Sequence, residues 1–224
     1  SAPLYIDNLR LERDVETPKL KFDGLHAFDL GPAQGPLMPG MTRIDPATLY
    51  SAGRGYGLKD ARLWRAFDAL QPDPLYQDFL CLEQGGLAVD VPNGKYHVLV
   101  NLDSPSGFWG EYQVYRTRAV LAEGREVVRD QMTFDTLKQK YFRFWDVEDS
   151  PDDNTFDKYQ RAYFQEREFD VTVTDGQLNL EFRGENWACC VSAVVLYPAE
   201  RAAEGRRFLD GVVAKRRFYF DNYF

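Results

Sequence analysis

Cysteine is scarce in this chain of 224 residues: Cys81 and the adjacent pair Cys189-Cys190 are all it has. No two of them have the spacing of a zinc site. They read as small apolar residues packed in strands, with a disulfide from Cys81 to either member of the pair left open. Histidine is scarcer still, with only His26 and His97. His97 follows Tyr96 in an alternating stretch and reads as structural. There is no Gly-x-Ser-x-Gly elbow and no His-Glu-x-x-His, so the sequence flags no nucleophile and no zinc hydrolase. A basic excess is missing too. Lys and Arg number 27 against 35 Asp and Glu, a net charge of −8. That balance works against phosphate backbones and anionic lipid, so neither nucleic acid nor membrane is expected as a partner. No apolar run reaches the about 18 residues that would suggest a membrane-spanning helix.

What the chain does have is alternation punctuated by tight turns. Asp90-Val91-Pro92-Asn93-Gly94-Lys95-Tyr96-His97-Val98-Leu99-Val100 reads as a hairpin, because Asn and Gly tolerate positive φ and Pro presets the bend. Phe169–Val173 and Gln177–Phe182 read as a second hairpin about Thr174-Asp175-Gly176. Glu111–Ala122 and Arg125–Phe134 form a third about Glu123-Gly124. Val191–Pro198 reads as one buried strand closing the sheet. The pattern predicts an all-β protein, an antiparallel β-sandwich over residues 21–198. Residues 1–20 read as a terminal strand, Leu4–Glu12, and a linker, from a preceding domain or paired with the sandwich. In residues 199–224, Phe208, Leu209, Val212 and Val213 have helical spacing and predict a C-terminal helix over Glu200–Lys215, followed by an aromatic tail.

Counting strand reversals places the tight turns at one end of the sandwich and the long loops at the other. Those loops are Asp103–Gly110, the insertion Asp135–Tyr163 and Gly184–Trp187, and they are rich in aromatics and acids. Sugar rings offer apolar C–H faces that stack on flat aromatics, and hydroxyls that pair with carboxylates and amides. The candidate ligand-binding residues are therefore Trp109, Tyr112, Trp145 and Trp187, with Asp103 and Glu185 beside them, and Tyr56 from the glycine-rich turn Gly53–Gly57. The bland alternative is that the aromatics cap the core. The acidic stretch Asp146–Asn154 carries oxygen ligands of the kind calcium takes, but it lacks the glycine spacing of an EF-hand and reads first as a solvated loop. No catalytic residue is assigned. Paired carboxylates from the 135–163 insertion remain the route to an enzyme reading, a glycoside hydrolase or polysaccharide lyase.

Ala27-Phe28-Asp29-Leu30-Gly31, Pro39-Gly40-Met41-Thr42-Arg43, Tyr50, Gly55-Tyr56-Gly57 and Val89–Tyr96 follow one another in this order. The series resembles the galactose-binding-like, malectin-like β-sandwiches of bacterial polysaccharide-active proteins, including the N-terminal sandwich of rhamnogalacturonan acetylesterase-like proteins. Leu178–Phe182 and Val194–Pro198 are similar to that family's last strands. The resemblance spans about residues 21–198 and implies a jelly-roll sandwich acting as a non-catalytic carbohydrate-binding module. It implies a polysaccharide or oligosaccharide ligand, a neighbouring catalytic domain in the same polypeptide, and an extracellular setting, secreted or periplasmic, in a bacterium. No cofactor is required, though a structural calcium often accompanies the family. The 135–163 insertion departs from its common pattern, so no ligand residue is carried over. A structural spacer whose aromatic tail docks a neighbour is the third reading.

Overall fold

The computed structural model describes residues 21–70, 73–104, 115–141, 148–185 and 189–222. Among these residues, two sheets face each other. The first has the order β2-β1-β11-β5-β8, built from β1 (His26–Leu30), β2 (Thr42–Ile44), β5 (Gly94–Asn101), β8 (Arg167–Val173) and β11 (Ala193–Pro198). The second has the order β10-β4-β9-β6-β7, with β3 paired to the free side of β4. Its strands are β3 (Tyr56–Asp68), β4 (Asp78–Asp90), β6 (Thr117–Ala122), β7 (Arg125–Gln131), β9 (Gln177–Gly184) and β10 (Cys189–Val191). All these strand pairs are antiparallel except β1 with β2, which is parallel. Alternate residues of each strand point inward. Leu80, Leu82, Leu178, Leu180 and Phe182 of the second sheet meet Val98, Val100, Val194 and Leu196 of the first in one apolar core.

The Pro92-Asn93-Gly94 and Thr174-Asp175-Gly176 turns are not hairpin turns. Each carries the chain from one sheet to the other: β4 to β5, and β8 to β9. The strands of one arch pair with those of the other, β4 with β9 and β5 with β8. The two arches are pinned together where they bend. Asn93 Nδ2 donates to the Thr174 carbonyl at 2.9 Å, and the Gly176 N–H donates to Asn93 Oδ1 at 2.8 Å. An alternating strand with one apolar face satisfies either arrangement, and burial across the whole sandwich selects the arch. The third turn does close a hairpin. Glu123 (φ +49°) and Gly124 (φ +71°) are both left-handed, as a type I′ turn requires.

Two further features differ from the sequence pattern. The run Val191–Pro198 is not one strand: it breaks at Ser192, leaving β10 in the second sheet and β11 in the first. The long β3 has no clear alternation to announce it, since Lys59, Asp60, Arg62 and Arg65 interrupt its apolar pattern. Its pairing with β4 slips in register across those residues.

The expected helix is α2 (Ala202–Asp221), and it extends past Lys215, so Phe218, Tyr219 and Phe220 continue it rather than forming a separate tail. It lies on the outer face of the first sheet, where Phe208, Leu209 and Val212 pack with Leu99, Val195 and Tyr197 in a second core. Gly205 makes the contact close: a Cβ there would sit 2.3 Å from the Tyr197 ring. The insertion after β7 holds α1 (Phe134–Tyr141) and a π-helical turn, Phe156–Arg161, whose Phe156 is fully buried. The expected strand in residues 1–20 lies outside the described residues. Among the described residues, no helix is long and apolar enough to cross a membrane.

Candidate functional site

The tight turns do gather at one end of the sandwich, since Glu123 bonds Asn179 through both its N–H and its carboxylate, next to the pinned arches. Asp103 and Glu185 lie at the other end. There the Glu185 N–H donates to the Thr117 carbonyl at 2.8 Å, and Asp103 follows the end of β5. Tyr56 stands apart from them. It opens β3 opposite Val89, at the tight-turn end, with its ring centroid 5.1 Å from that of Phe28. Trp109, Tyr112, Trp145 and Trp187 lie outside the described residues. His97 is held on the outer face of the first sheet between Asp170 (2.9 Å) and Glu168 (3.0 Å), a structural setting.

A buried polar knot closes the long-loop end. Arg118, 2% exposed, donates to Asp103 Oδ1 (2.7 Å), to the Leu102 carbonyl (2.5 Å) and to Asp130 Oδ2 (2.9 Å), and lies over the Tyr115 ring. Arg167 donates to both oxygens of Asp130. Asp103 Oδ2 accepts the Gln165 N–H at 3.0 Å. Burial alone would lower the pKa of the Arg118 guanidinium, but Asp103 first, then Tyr115 and Asp130, raise it instead. The knot ties β5 and β8 of one sheet to β6 and β7 of the other. Asp103 thereby anchors the backbone at the end of β5.

Beside this knot, the outer face of the second sheet carries a groove of about 470 Å³. It is lined by the small residues Thr117 and Ala119 of β6, and by long charged ones on the two neighbouring strands: Glu181 and Arg183 of β9, Glu126 and Arg129 of β7. The depression follows from that contrast in side-chain length. Arg129 pairs with both oxygens of Glu126 at 2.8 Å, and Arg183 with Glu181 at 2.7 and 3.0 Å, which sets the remaining guanidinium N–H groups beside carboxylate acceptors. Glu83 and Glu185 also line the groove, so four carboxylates face two guanidinium groups. Such a surface suits vicinal hydroxyls and disfavours a polyanion. Sequence reasoning found only Glu185 among these residues. Alternating charge on an outward strand face is the ordinary look of a solvated sheet, and no local signal marks it as a site.

Two acids of the acidic stretch, Asp149 and Asp153, share one lysine. Lys158 Nζ bonds Asp149 (2.8 Å) and Asp153 (2.5 Å) and the Glu148 carbonyl, and Tyr159 donates to Asp149. Lys158 is the leading cause holding both aspartates below the usual carboxylate range. Among the described residues, no group of three or more His, Cys, Asp or Glu could hold a metal ion.

A second buried cluster lies at the first sheet's edge. Asp29 and Asp78 are fully buried and share the Arg43 guanidinium, at 3.1 and 2.8 Å. Asp29 also accepts the Met38 N–H at 2.7 Å, which anchors the Gly31–Gly40 loop. Burial raises both carboxyls, Asp29 to about 7 and Asp78 to about 8, with the nearby Asp29 charge adding to Asp78. Asp78 Oδ1 and Arg43 Nη2 have no partner among the described residues.

No protein-family model and no curated relative matches the chain. Solved structures do. Protein YXIM of Bacillus subtilis superposes with a TM-score of 0.50 at 23% identity, covering 78% of this chain and 40% of that one. The plant receptor-like kinase FER superposes with a TM-score of 0.51 at 15% identity, covering 78% of this chain and 42% of that one. The complex of plant peptide RALF23 with FER and LLG2 gives 0.50 at 16% identity, over 79% and 40%. The chain spans about two fifths of the length of each. At these identities the likeness is one of fold: a two-sheet β-sandwich that recurs as part of larger proteins.

Proposed function

We propose that this chain is a non-catalytic, galactose-binding-like carbohydrate-binding module that holds a neutral polysaccharide or oligosaccharide in the groove on the second sheet. The observation that carries the reading is the groove itself, where Glu126–Arg129 and Glu181–Arg183 stand on either side of Thr117 and Ala119, with Glu185 toward the long-loop end. Paired carboxylate and guanidinium groups bond adjacent hydroxyls, and the excess of acids selects against uronate-rich chains. Trp109, Tyr112, Trp145 and Trp187 belong to the proposal as stacking residues. The resemblance of residues 21–198 to sandwiches of bacterial polysaccharide-active proteins supports a place beside a catalytic domain in a secreted or periplasmic protein.

Calorimetric titration against a panel of neutral and uronate-rich polysaccharides tests it. Neutral chains should bind and uronate-rich ones should not. Arg183→Ala and Trp187→Ala should each weaken binding by about 1–3 kcal/mol, the usual cost of removing an anchoring contact, without shifting the melting temperature. Failure to bind any glycan, or full affinity in both variants, would overturn the reading. Sustained release of reducing ends that vanishes in Glu185→Gln would replace it with an enzyme.

A further inference from the structure

The pairing of β10 with β4 sets Cys190 directly opposite Cys81, and Cys189 opposite Leu82. Alternation then sorts the thiols by face. Cys189 points into the main core, whereas Cys81 and Cys190 lie together on the other side of the sheet, against Phe79 and Phe67. Their sulfurs are 3.4 Å apart and both residues are buried. Directly opposed residues of an antiparallel pair have Cα atoms about 4.5–5.5 Å apart, inside the range that a disulfide spans. Closing the bond therefore needs side-chain rotation and no backbone shift.

We propose that Cys81 and Cys190 are a disulfide-forming pair, oxidised by thiol–disulfide exchange with a small-molecule or enzyme-borne disulfide, and that Cys189 stays a thiol. One cysteine thiolate attacks the oxidant's S–S bond, giving a mixed disulfide and one reduced thiol. The second cysteine attacks the protein-side sulfur and expels the other. Two electrons and two protons end on the oxidant as two thiols. The Cys190 thiol is held well above its usual range, by its contact with Cys81 first and by burial second, and burial pushes the Cys189 thiol up to about 12. Both sulfurs of the pair are shielded from an oxidant in the folded sandwich, so exchange takes place while β10 is still open.

The link would join positions 109 residues apart. It would tie β10 to β4, whose Glu83 lines the groove on the second sheet. The closed bond thus holds in place the short strand β10 (Cys189–Val191).

The full chain is refolded from guanidinium chloride with reduced and oxidised glutathione, then acid-quenched, unfolded and alkylated for mass spectrometry. The same count is made on native chain produced in an oxidising compartment, which bypasses refolding. One alkylated thiol is expected, with Cys81 and Cys190 in a linked peptide. Cys189→Ala should keep the link and Cys190→Ala should lose it. Reduction of the linked chain should lower the unfolding midpoint by roughly 5–15 °C, as expected for the loss of a native disulfide in a domain of this size. Three alkylated thiols in both preparations, a Cys81–Cys189 link, or a midpoint that does not fall on reduction would each overturn the proposal.

Discussion

Asp78→Asn should make this protein more stable at pH 8 and flatten its pH dependence. In the native chain Asp29 and Asp78 share one guanidinium in a fully buried setting, so one positive charge serves two carboxyls. Both folded values are raised above the ordinary range near 3.8, to about 7 and about 8. A raised value means that the folded protein holds a proton the unfolded chain releases. That contribution to stability is fully present below the ordinary carboxyl range and is lost as pH rises through it towards 8. Each tenfold gain in proton affinity is worth about 1.4 kcal/mol. Over the three pH units between 5 and 8, one proton shared by the pair therefore corresponds to a loss of about 4 kcal/mol at most. Replacing Asp78 by Asn leaves Asp29 with Arg43 to itself and keeps an oxygen for the Arg43 Nη1–H. Urea unfolding followed by tryptophan fluorescence at pH 5, 6.5 and 8 measures the difference between the two proteins. The variant should gain about 1–3 kcal/mol relative to wild type on going from pH 5 to pH 8, the part of that ceiling left after local relaxation. Parallel curves for the two proteins, or a variant that falls behind as pH rises, would refute the reasoning.

Arg118→Leu leaves the buried Asp103 without a cation, while Asp130 keeps Arg167, and should cost about 3–5 kcal/mol, read as a lowered urea midpoint. Arg129→Ala, whose side chain is exposed, should change stability by less than about 1 kcal/mol in the same assay. Gly205→Val drives a branched side chain into the Tyr197 ring and should cost about 1–3 kcal/mol, with the helical circular dichroism of α2 softening before the main transition.

The sandwich was legible because its strands obey a period of two and its turns carry Asn-Gly, Asp-Gly and Glu-Gly. The partner of each strand was not. Pro92-Asn93-Gly94 reverses the chain whether the next strand joins the same sheet or the opposite one, and only the burial of Val89 and Val98 from facing sheets decides. Ser192 is equally silent: a single polar residue in an apolar run marks the crossing from one sheet to the other, where it accepts from Asn101. The charged β3 hides because its exposed positions outnumber its buried ones. Of the candidate site, the end of the molecule was readable from strand reversals, which place Asp103 and Glu185 correctly opposite the turns. The groove was not readable, since Glu181 and Arg183 on one strand meet Glu126 and Arg129 on another only through a strand order that no local pattern encodes.

The pinned arches also bear on how the chain reaches this state. Asn93 and Gly176 are 83 residues apart, and the strands that flank them pair with each other's arch across that distance. Little of the sandwich can therefore close until both halves of the chain have been made and have met. Such high contact order means folding in milliseconds to seconds rather than microseconds. It also makes the excursion between β5 and β8 forgiving of length, because loop closure entropy grows only with the logarithm of the residues enclosed. An insertion such as 135–163 lengthens that search slightly and leaves the lock between Asn93 and Gly176 untouched.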